Sequence, residues 1–438
     1  MILIEHASFD DATVKDNLGA PEYSYLFAKK GFRRVLERLG RRVDIVDPAH
    51  EADPIFHAAR ARGEDCVFLS FTPPHKTTVG LACPTVPVLA WEYDGIPDET
   101  WDSDPRNDWR YVLSRTGVAV THCSSAAEAL RRSMGEDFPV WVVPTPLFET
   151  FAAHASPAQG WRERFDLSVE GGFAIDAGAV DLSLFRPDQP KAEAARALRA
   201  LDRALADAGR PVQTLALEGV VYTSVFSPVD GRKNWRDMID GFVWAFRHTP
   251  TAALVLKLTV AELEDGLLPV LRHLSTLGEF DCRIVLICGL LSNEAYRALI
   301  ASTSYALNTS TGEGQCLPLM EYMSCGRPAV APAHTAMRDY LSPENGFVID
   351  SQERPARWPH DERAAIRCRH HLVSFADLVR QYRESYAVAR DDAVRYARMS
   401  AAATAAMRAF CSEAVAAERL SDLLAWLKAQ AVDGRRSA

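Results

Sequence analysis

The stretch Asn308-Thr-Ser-Thr-Gly-Glu313-Gly-Gln-Cys-Leu-Pro318-Leu-Met-Glu321-Tyr-Met-Ser-Cys-Gly326-Arg-Pro328 sets the reading of the whole chain. Its apolar lead-in ends near Asn308 and a polar, glycine-containing loop follows. Pro318 then falls in what should be the first turn of a helix, where a missing N–H costs nothing. The free N–H groups of that turn form a site for anions. Glu313 stands in the loop before the helix and Glu321 about a turn inside it, so two carboxylates flank one anion-binding helix start. Carboxylates accept hydrogen bonds from hydroxyls, which suits a sugar ring for the first and a ribose for the second. Gly326-Arg-Pro328 stops the helix and opens the next strand.

Outward from this segment, short apolar runs alternate with amphipathic stretches, the pattern of parallel sheets wrapped by helices. In the first half, strands are expected at Met1–Ile4, Val43–Val46, Cys66–Phe71, Val86–Trp91, Val118–Thr121 and Val140–Val143. Helices are expected over Glu22–Leu39 and Ser124–Ser133, the second opened by a serine N-cap. From about Thr214 a second series has strands at Val220–Phe226, Ala253–Leu258, Arg283–Cys288, Ser304–Leu307 and Ala329–Ala331. Its helices fit at Trp235–Phe246, Ala261–Leu274, Asn293–Ser302 and Leu317–Cys325. The fold class is α/β, two Rossmann-like units in tandem. The run from Phe185-Arg186-Pro187 to Arg210 connects them, and Phe375–Ala429 reads as two or three helices. The boundaries are then 1–187, a connection over 188–212, 213–390 and 391–438. Open α/β sheets hold ligands at the carboxyl ends of their strands, so the chemistry is expected in the cleft between the units.

Composition agrees and excludes other classes. At roughly 150 residues per domain, 438 residues make two or three domains with substantial cores. With 49 Lys+Arg against 58 Asp+Glu the net charge is −9, so a grip on phosphate must come from a few local cations and a nucleic-acid partner is not expected. Nine scattered cysteines without a C-x-x-C pair read as reduced thiols of a cytoplasmic protein. Neither a secretion signal nor a spanning helix is expected. No metal-ligand spacing is present, His370-His371 included, and Walker A, G-x-S-x-G and G-x-G-x-x-G motifs are absent.

Further candidates follow strands. Arg232 and Lys233 sit in a turn after an apolar strand and before a helix start, a place for phosphate. Lys257 ends the strand Leu254-Val-Leu-Lys257 and so points at the ligand crevice. The loop Asp16-Asn-Leu-Gly19-Ala-Pro21 follows the first strand, where a glycine allows backbone to approach a diphosphate. Trp91-Glu92-Tyr-Asp94-Gly95 offers carboxylates among aromatics, suited to an acceptor sugar, and His122 follows another strand. Between Lys29 and Arg42 lie seven cations and one acid, either a solvated helix face or a stripe for peripheral contact with anionic lipid.

Glu313, seven residues, Glu321, then Met-Ser-Cys-Gly-Arg-Pro-Ala-Val resembles the E-x7-E signature of retaining GT-B glycosyltransferases of the group 1, or family 4, class. Gly231-Arg-Lys-Asn234 resembles that family's basic turn, and Val180-Asp-Leu-Ser-Leu-Phe185-Arg-Pro187 its V-D-x-x-x-F-x-P segment. The resemblance implies a GT-B fold with C-terminal helices crossing back to the first domain. It also implies an acceptor domain first and a nucleotide-sugar donor domain second. Glu313 would orient the donor sugar, and Glu321 the ribose. Lys257, Arg232, Lys233, the Gly314-Gln315-Cys316-Leu317 helix start and Gly19 would meet the diphosphate, with Glu92, Asp94 and His122 toward the acceptor. No cofactor or metal is implied. The expected activity is transfer of a hexose-type sugar to a carbohydrate or lipid-linked glycan in bacterial surface polysaccharide or glycoconjugate synthesis. The alternatives are a catalytically silent binding subunit or another GT-B enzyme, an inverting transferase, phosphorylase or epimerase. Two positions depart from the pattern: Cys316 replaces a glycine, and Ser227 stands where an arginine is common six residues before Lys233.

Overall fold

The computed structural model describes residues 1–13, 17, 19, 22–207, 213–359, 361 and 363–436, with side chains except at 202, 204–207 and 431–436. The first unit is built from β1 (Ile2–Ala7), α1 (Tyr23–Leu39), β2 (Arg41–Asp44), α2 (Pro48–Ala61), β3 (Cys66–Phe71) and β4 (Thr85–Leu89). It continues with α3 (Trp109–Thr116), β5 (Ala119–Thr121), α4 (Ser124–Met134), β6 (Val140–Val142) and the short α5 (Phe148–Ala152). Its six strands form a parallel sheet in the order β2-β1-β3-β4-β5-β6.

The second unit starts earlier than its apolar pattern suggested. β7 (Arg162–Val169) and β8 (Gly172–Asp176) pair antiparallel with β9 (Gln213–Phe226) and β11 (Arg283–Gly289), so residues before 187 belong to the second sheet. The segment expected as a connection is largely α6 (Lys191–Asp207), whose Ala194, Ala195 and Leu198 are buried in the second core. Residues 208–212 lie outside the described ones. The chain actually crosses between the units after β6.

The remaining elements are α7 (Trp235–Phe246), β10 (Ala252–Leu258), α8 (Leu263–Leu274), α9 (Asn293–Ser302), β12 (Tyr305–Leu307), α10 (Leu317–Ser324), β13 (Ala329–Ala331) and β14 (Gly346–Val348). A two-stranded arm of β15 (Ser351–Arg357) and β16 (Arg367–Val373) follows, then α11 (Phe375–Asp391), α12 (Ala393–Cys411) and α13 (Glu413–Arg436). Strand order in the main sheet is β14-β13-β12-β9-β10-β11-β8. The chain runs from β9 outward to β10 and β11, then returns to β12 on the other side of β9. That reversal is a topological switch point, and its crevice lies beyond the ends of β9 and β12.

The C-terminal helices return as expected. α11 packs on α7, while Ala416, Leu420, Leu423 and Leu424 of α13 are buried with Leu3, Phe32 and Val35 of the first unit. The basic stripe of α1 is engaged in this packing. Lys29 pairs with Asp44, Lys30 with Asp11, Arg33 with Glu37, Arg34 and Arg38 with Glu413 on α13, and Arg42 with Glu5. Six of its seven cations are therefore paired within the fold, and Lys30, Arg33, Arg34 and Arg38 among them stay exposed.

Arg327 holds the helices beneath the switch point. Its fully buried guanidinium donates to the carbonyls of Ile300 and Ala301 at the end of α9, of Cys325 at the end of α10, and of Ser156. Among the described residues no carboxylate pairs with it, so the negative ends of two helix dipoles offset its charge. Arg327→Met removes the donor to the Ser156 and Cys325 carbonyls and one of two donors to those of Ile300 and Ala301, which Thr303 N–H and Arg162 also serve. It is expected to lower stability by about 2 to 3 kcal/mol, read from urea unfolding.

Candidate functional site

Glu313 lies at the switch point, 4% exposed. Oε1 accepts from Lys233 Nζ at 2.7 Å, from Ser310 Oγ at 2.6 Å and from Asn308 Nδ2 at 3.2 Å. Burial pushes its pKa up, but the Lys233 and Arg232 charges outweigh that and hold the carboxyl below its ordinary range. Lys233 comes from the turn after β9 and Glu313 from the loop after β12, so β9 and β12, neighbours in the sheet, bring the pair together. Burial pushes Lys233 down and Glu313 more than offsets it, so both groups are held charged.

The surrounding backbone is strained. Among the described residues six non-glycine positions have positive φ, and three of them border this network: Asn234 (46°), Cys316 (62°) and Thr335 (46°). A β-branched residue such as Thr335 is rarely found there. Its Oγ1 accepts from Glu313 N at 3.0 Å. Such conformations persist only where the surroundings over-determine them, and they gather at functional sites.

Glu321, a turn into α10, accepts from Tyr296 OH of α9 at 2.5 Å. Burial pushes its pKa up to about 7, against the Tyr296 hydrogen bond. Lys257 is at the end of β10, 5% exposed, and its Nζ donates only to the Leu258 carbonyl at 3.3 Å. Among the described residues no carboxylate pairs with it, and burial brings its pKa down to about 8. Above the adjacent Thr259 the first unit closes in. Gly19, at φ +86°, lies so near that an added Cβ would sit 2.7 Å from the Thr259 carbonyl and 2.8 Å from Ser227 Oγ. Tyr23 hydrogen-bonds Thr259 from the same side. Asp16, Leu18, Ala20 and Pro21 of this loop lie outside the described residues.

Several of the other expected residues join the two units. Arg232 pairs with Glu92 at 3.0 Å and Asp230 at 2.7 Å and donates to the Gly312 carbonyl, so its guanidinium is taken. Glu92 is thereby withdrawn from an acceptor role, its pKa raised by burial against the Arg232 charge. Asp94 accepts from the Arg369 backbone N–H at 2.8 Å and anchors the β15–β16 arm. His122 is a core residue: Nδ1 donates to the Val143 carbonyl at 2.9 Å and burial takes its pKa down to about 4. Gly314 approaches Ala90 and Trp91 of the first unit rather than a phosphate. Gln315 Oε1 accepts from Thr145 N at 3.0 Å, while Leu317 packs into the cluster under α10. Cys316 precedes α10 in a left-handed conformation that only a strained side chain or a glycine takes. Ser124 is the first residue of α4 rather than its cap, and Asp339 of the second unit accepts from its N–H at 2.7 Å. Tyr296, Tyr23, Asn308, Ser310, Thr335 and Asp339 escaped sequence reading because no local pattern marks them.

Residues 240–359 match the family model described as Glycosyl transferases group 1. No curated protein matches the chain by sequence. Among solved structures, Anabaena HepE in complex with UDP is similar at TM-score 0.53 and 13% identity, over 97% of this chain and 99% of that one. Sucrose-phosphate synthase from Thermosynechococcus elongatus is similar at 0.53 and 13%, over 98% and 100%. A glycosyltransferase from Rickettsia africae is similar at 0.51 and 9%, over 96% and 97%. The chain thus has the GT-B fold over nearly its whole length, and the family match covers most of the switch-point region.

Arg232 and Glu92 form the most buried ion pair between the units. Glu92→Ala leaves Arg232 with Asp230 alone, and stability is expected to fall by about 1 to 3 kcal/mol in urea. The same variant should show a larger radius of gyration in solution scattering as the cleft loosens.

Proposed function

We propose that the protein is a retaining glycosyltransferase that moves a hexose-type sugar from a nucleoside diphosphate to a hydroxyl of a carbohydrate or lipid-linked glycan acceptor. The reaction uses no metal or cofactor on this reading, and it serves cytoplasmic synthesis of a bacterial surface polysaccharide or glycoconjugate. The observation that carries the proposal is Lys257: a buried ammonium that pairs with no carboxylate among the described residues, near the carboxyl end of β10, between β11 and β9, the strand that leads to Lys233. A buried unpaired cation is costly, and a diphosphate is the anion that would relieve the cost there. Uridine is the favoured base, because HepE, with the same fold, is solved with UDP and with UDP-glucose. Among the described residues no helix is long and apolar enough to cross a membrane, and all nine cysteines are free.

The chemistry follows from the placement. The bond from the anomeric carbon to the β-phosphate oxygen breaks through an oxocarbenium-like state, and Lys257 with the first turn of α10 takes the charge developing on the leaving diphosphate. Glu313, fixed by Lys233, Ser310 and Asn308, accepts from donor-sugar hydroxyls. Glu321, oriented by Tyr296, accepts from the ribose. The acceptor oxygen bonds to the anomeric carbon on the face the phosphate leaves, and its proton passes to that phosphate, so no protein nucleophile is required. Arg232 contributes indirectly, by holding the Gly312 carbonyl and hence the Glu313 loop. Closure of the two units excludes water.

Calorimetry with UDP and turnover of UDP-glucose test this reading. Lys257→Met should weaken UDP binding roughly 10- to 100-fold, the worth of a charge-assisted hydrogen bond. Glu313→Gln should cut sugar transfer or donor hydrolysis by about 100-fold while leaving UDP affinity within a few fold. No turnover by the wild type, with UDP binding unchanged in both variants, would defeat the enzyme reading in favour of a silent binding subunit.

The pH dependence is a separate check. Lys257, lowered to about 8, is a cation below that pH and neutral above it, so UDP affinity should fall as pH rises past about 8. Glu321, raised to about 7, is ionised only above that pH, so affinity should also fall on acidification below about 7. A titration of UDP affinity is expected to show its best value between these limits.

A further inference from the structure

The β15–β16 arm stands apart from both sheets yet touches both units. At its cleft end the His371 N–H donates to the Thr311 carbonyl, two residues before Glu313, at 2.8 Å. The His371 ring stacks on His334 with centroids 4.4 Å apart and planes at 11°. Along its length Arg369 bonds Asp94, and Trp358 packs edge-on against Trp91 at 5.7 Å. The arm is thus fixed to the donor-side loop and to the first unit together.

Its pairing register is Glu353 with His371, Pro355 with Arg369 and Arg357 with Arg367. Alternate rungs share a face, so the face that meets the Glu313 loop through His371 continues outward to the Arg357–Arg367 rung. Directly opposed like charges destabilise a two-stranded ladder. Both arginines are exposed, and among the described residues neither has an ion-pair partner. The four residues from His371 to Arg367 span about 13 Å of strand. A rung that weakens its own hairpin, aimed along the track leading from the reacting loop, has the chemistry of an anion clamp.

We propose that this arm reads the acceptor, and that the acceptor is a glycan carrying an anionic group, carboxylate or phosphate, held by Arg357 and Arg367 about 13 Å from the Glu313 loop. The proposal rests on the glycosyltransferase reading. It displaces Glu92, Asp94 and His122, which the structure occupies elsewhere, as the acceptor-recognising groups.

The test uses the full chain saturated with UDP and three probes: a neutral tetrasaccharide, the same backbone with one glucuronate, and the same backbone with one phosphate. Either anionic probe should bind about tenfold more tightly than the neutral one, with the advantage shrinking between low and high salt. The preferred probe identifies the anion. In Arg357→Thr/Arg367→Thr the advantage should vanish while UDP affinity stays within about twofold, and Tm should rise because the repulsion is gone. Equal binding of all three probes, or a preference that survives the double substitution, would overturn the proposal. So would salt-sensitive binding of anionic vesicles that depends on the two arginines without any preference among the tetrasaccharides. Failure of the wild type to bind UDP at all would instead strike the underlying reading, so the two failures are told apart.

Discussion

Five charged side chains meet at the seam between the units: Glu92, Asp230 and Glu313 with Arg232 and Lys233. They carry three negative charges and two positive, and all are largely withdrawn from water. In such surroundings a charge is tolerable only when paired and hydrogen-bonded, so each cation is committed to the carboxylates beside it. The excess is negative, which makes the seam itself a poor host for a diphosphate. Lys257, one strand further along the sheet and paired with nothing acidic, supplies what the seam lacks. The division of labour on the proposed reading follows from that asymmetry: the seam positions Glu313 and holds the units together, and Lys257 is the cation left for an incoming anion.

The same seam explains why the cleft is shut. Every loop joining the units leaves the carboxyl end of a strand: Gly19 after β1, Glu92 after β4, Ser124 after β5 and Thr145 after β6 on one side, Ser227 and Arg232 after β9, Thr259 after β10 and Gln315 after β12 on the other. Ligands of α/β sheets bind at these ends, so domain contact and ligand binding use one surface. A substrate enters only by parting contacts such as Arg232–Glu92 and Ser124–Asp339. These two contacts are polar and charged, the kind that a hinge motion can break and remake, whereas Trp91 with Trp358 adds an apolar contact beside them.

Much of this was legible in the sequence for a physical reason. Parallel strands buried on both faces are continuous apolar runs, so Cys66–Phe71, Ala329–Ala331 and the helices Trp235–Phe246 and Asn293–Ser302 fall where the pattern puts them. Glu313, Glu321 and Lys257 were legible as candidates because each stands close to the end or the start of an element. The half-exposed antiparallel strands β7, β15 and β16 carry no apolar run, and they moved the domain boundary and hid the arm. Glu92, Asp94, His122 and Arg232 have intramolecular partners that the sequence did not show. They follow strands as expected, but what Arg232 and Asp94 do there depends on distant partners, Gly312 for Arg232 80 residues away and Arg369 for Asp94 275 residues away. No local pattern encodes those.

Cys316 shows how the departures from the family pattern are accommodated. A glycine would take the left-handed conformation at the start of α10 freely, whereas a cysteine adopts it at a cost of order 1 kcal/mol. The side chain offsets part of this by accepting from Asn308 Nδ2 at 3.2 Å, the same amide that donates to Glu313. The preceding residue, Gln315, is held from two directions: Tyr340 OH donates to its carbonyl at 2.9 Å, and Thr145 N–H of the first unit donates to its side chain. The strained turn is therefore fixed by a contact across the cleft as well as by its own domain. Glu313, two residues beyond Thr311, is in turn braced by the arm through the Thr311 carbonyl. The geometry of the Glu313 loop thus depends on the first unit at one end and on the arm at the other, so a displacement of either is transmitted to Glu313.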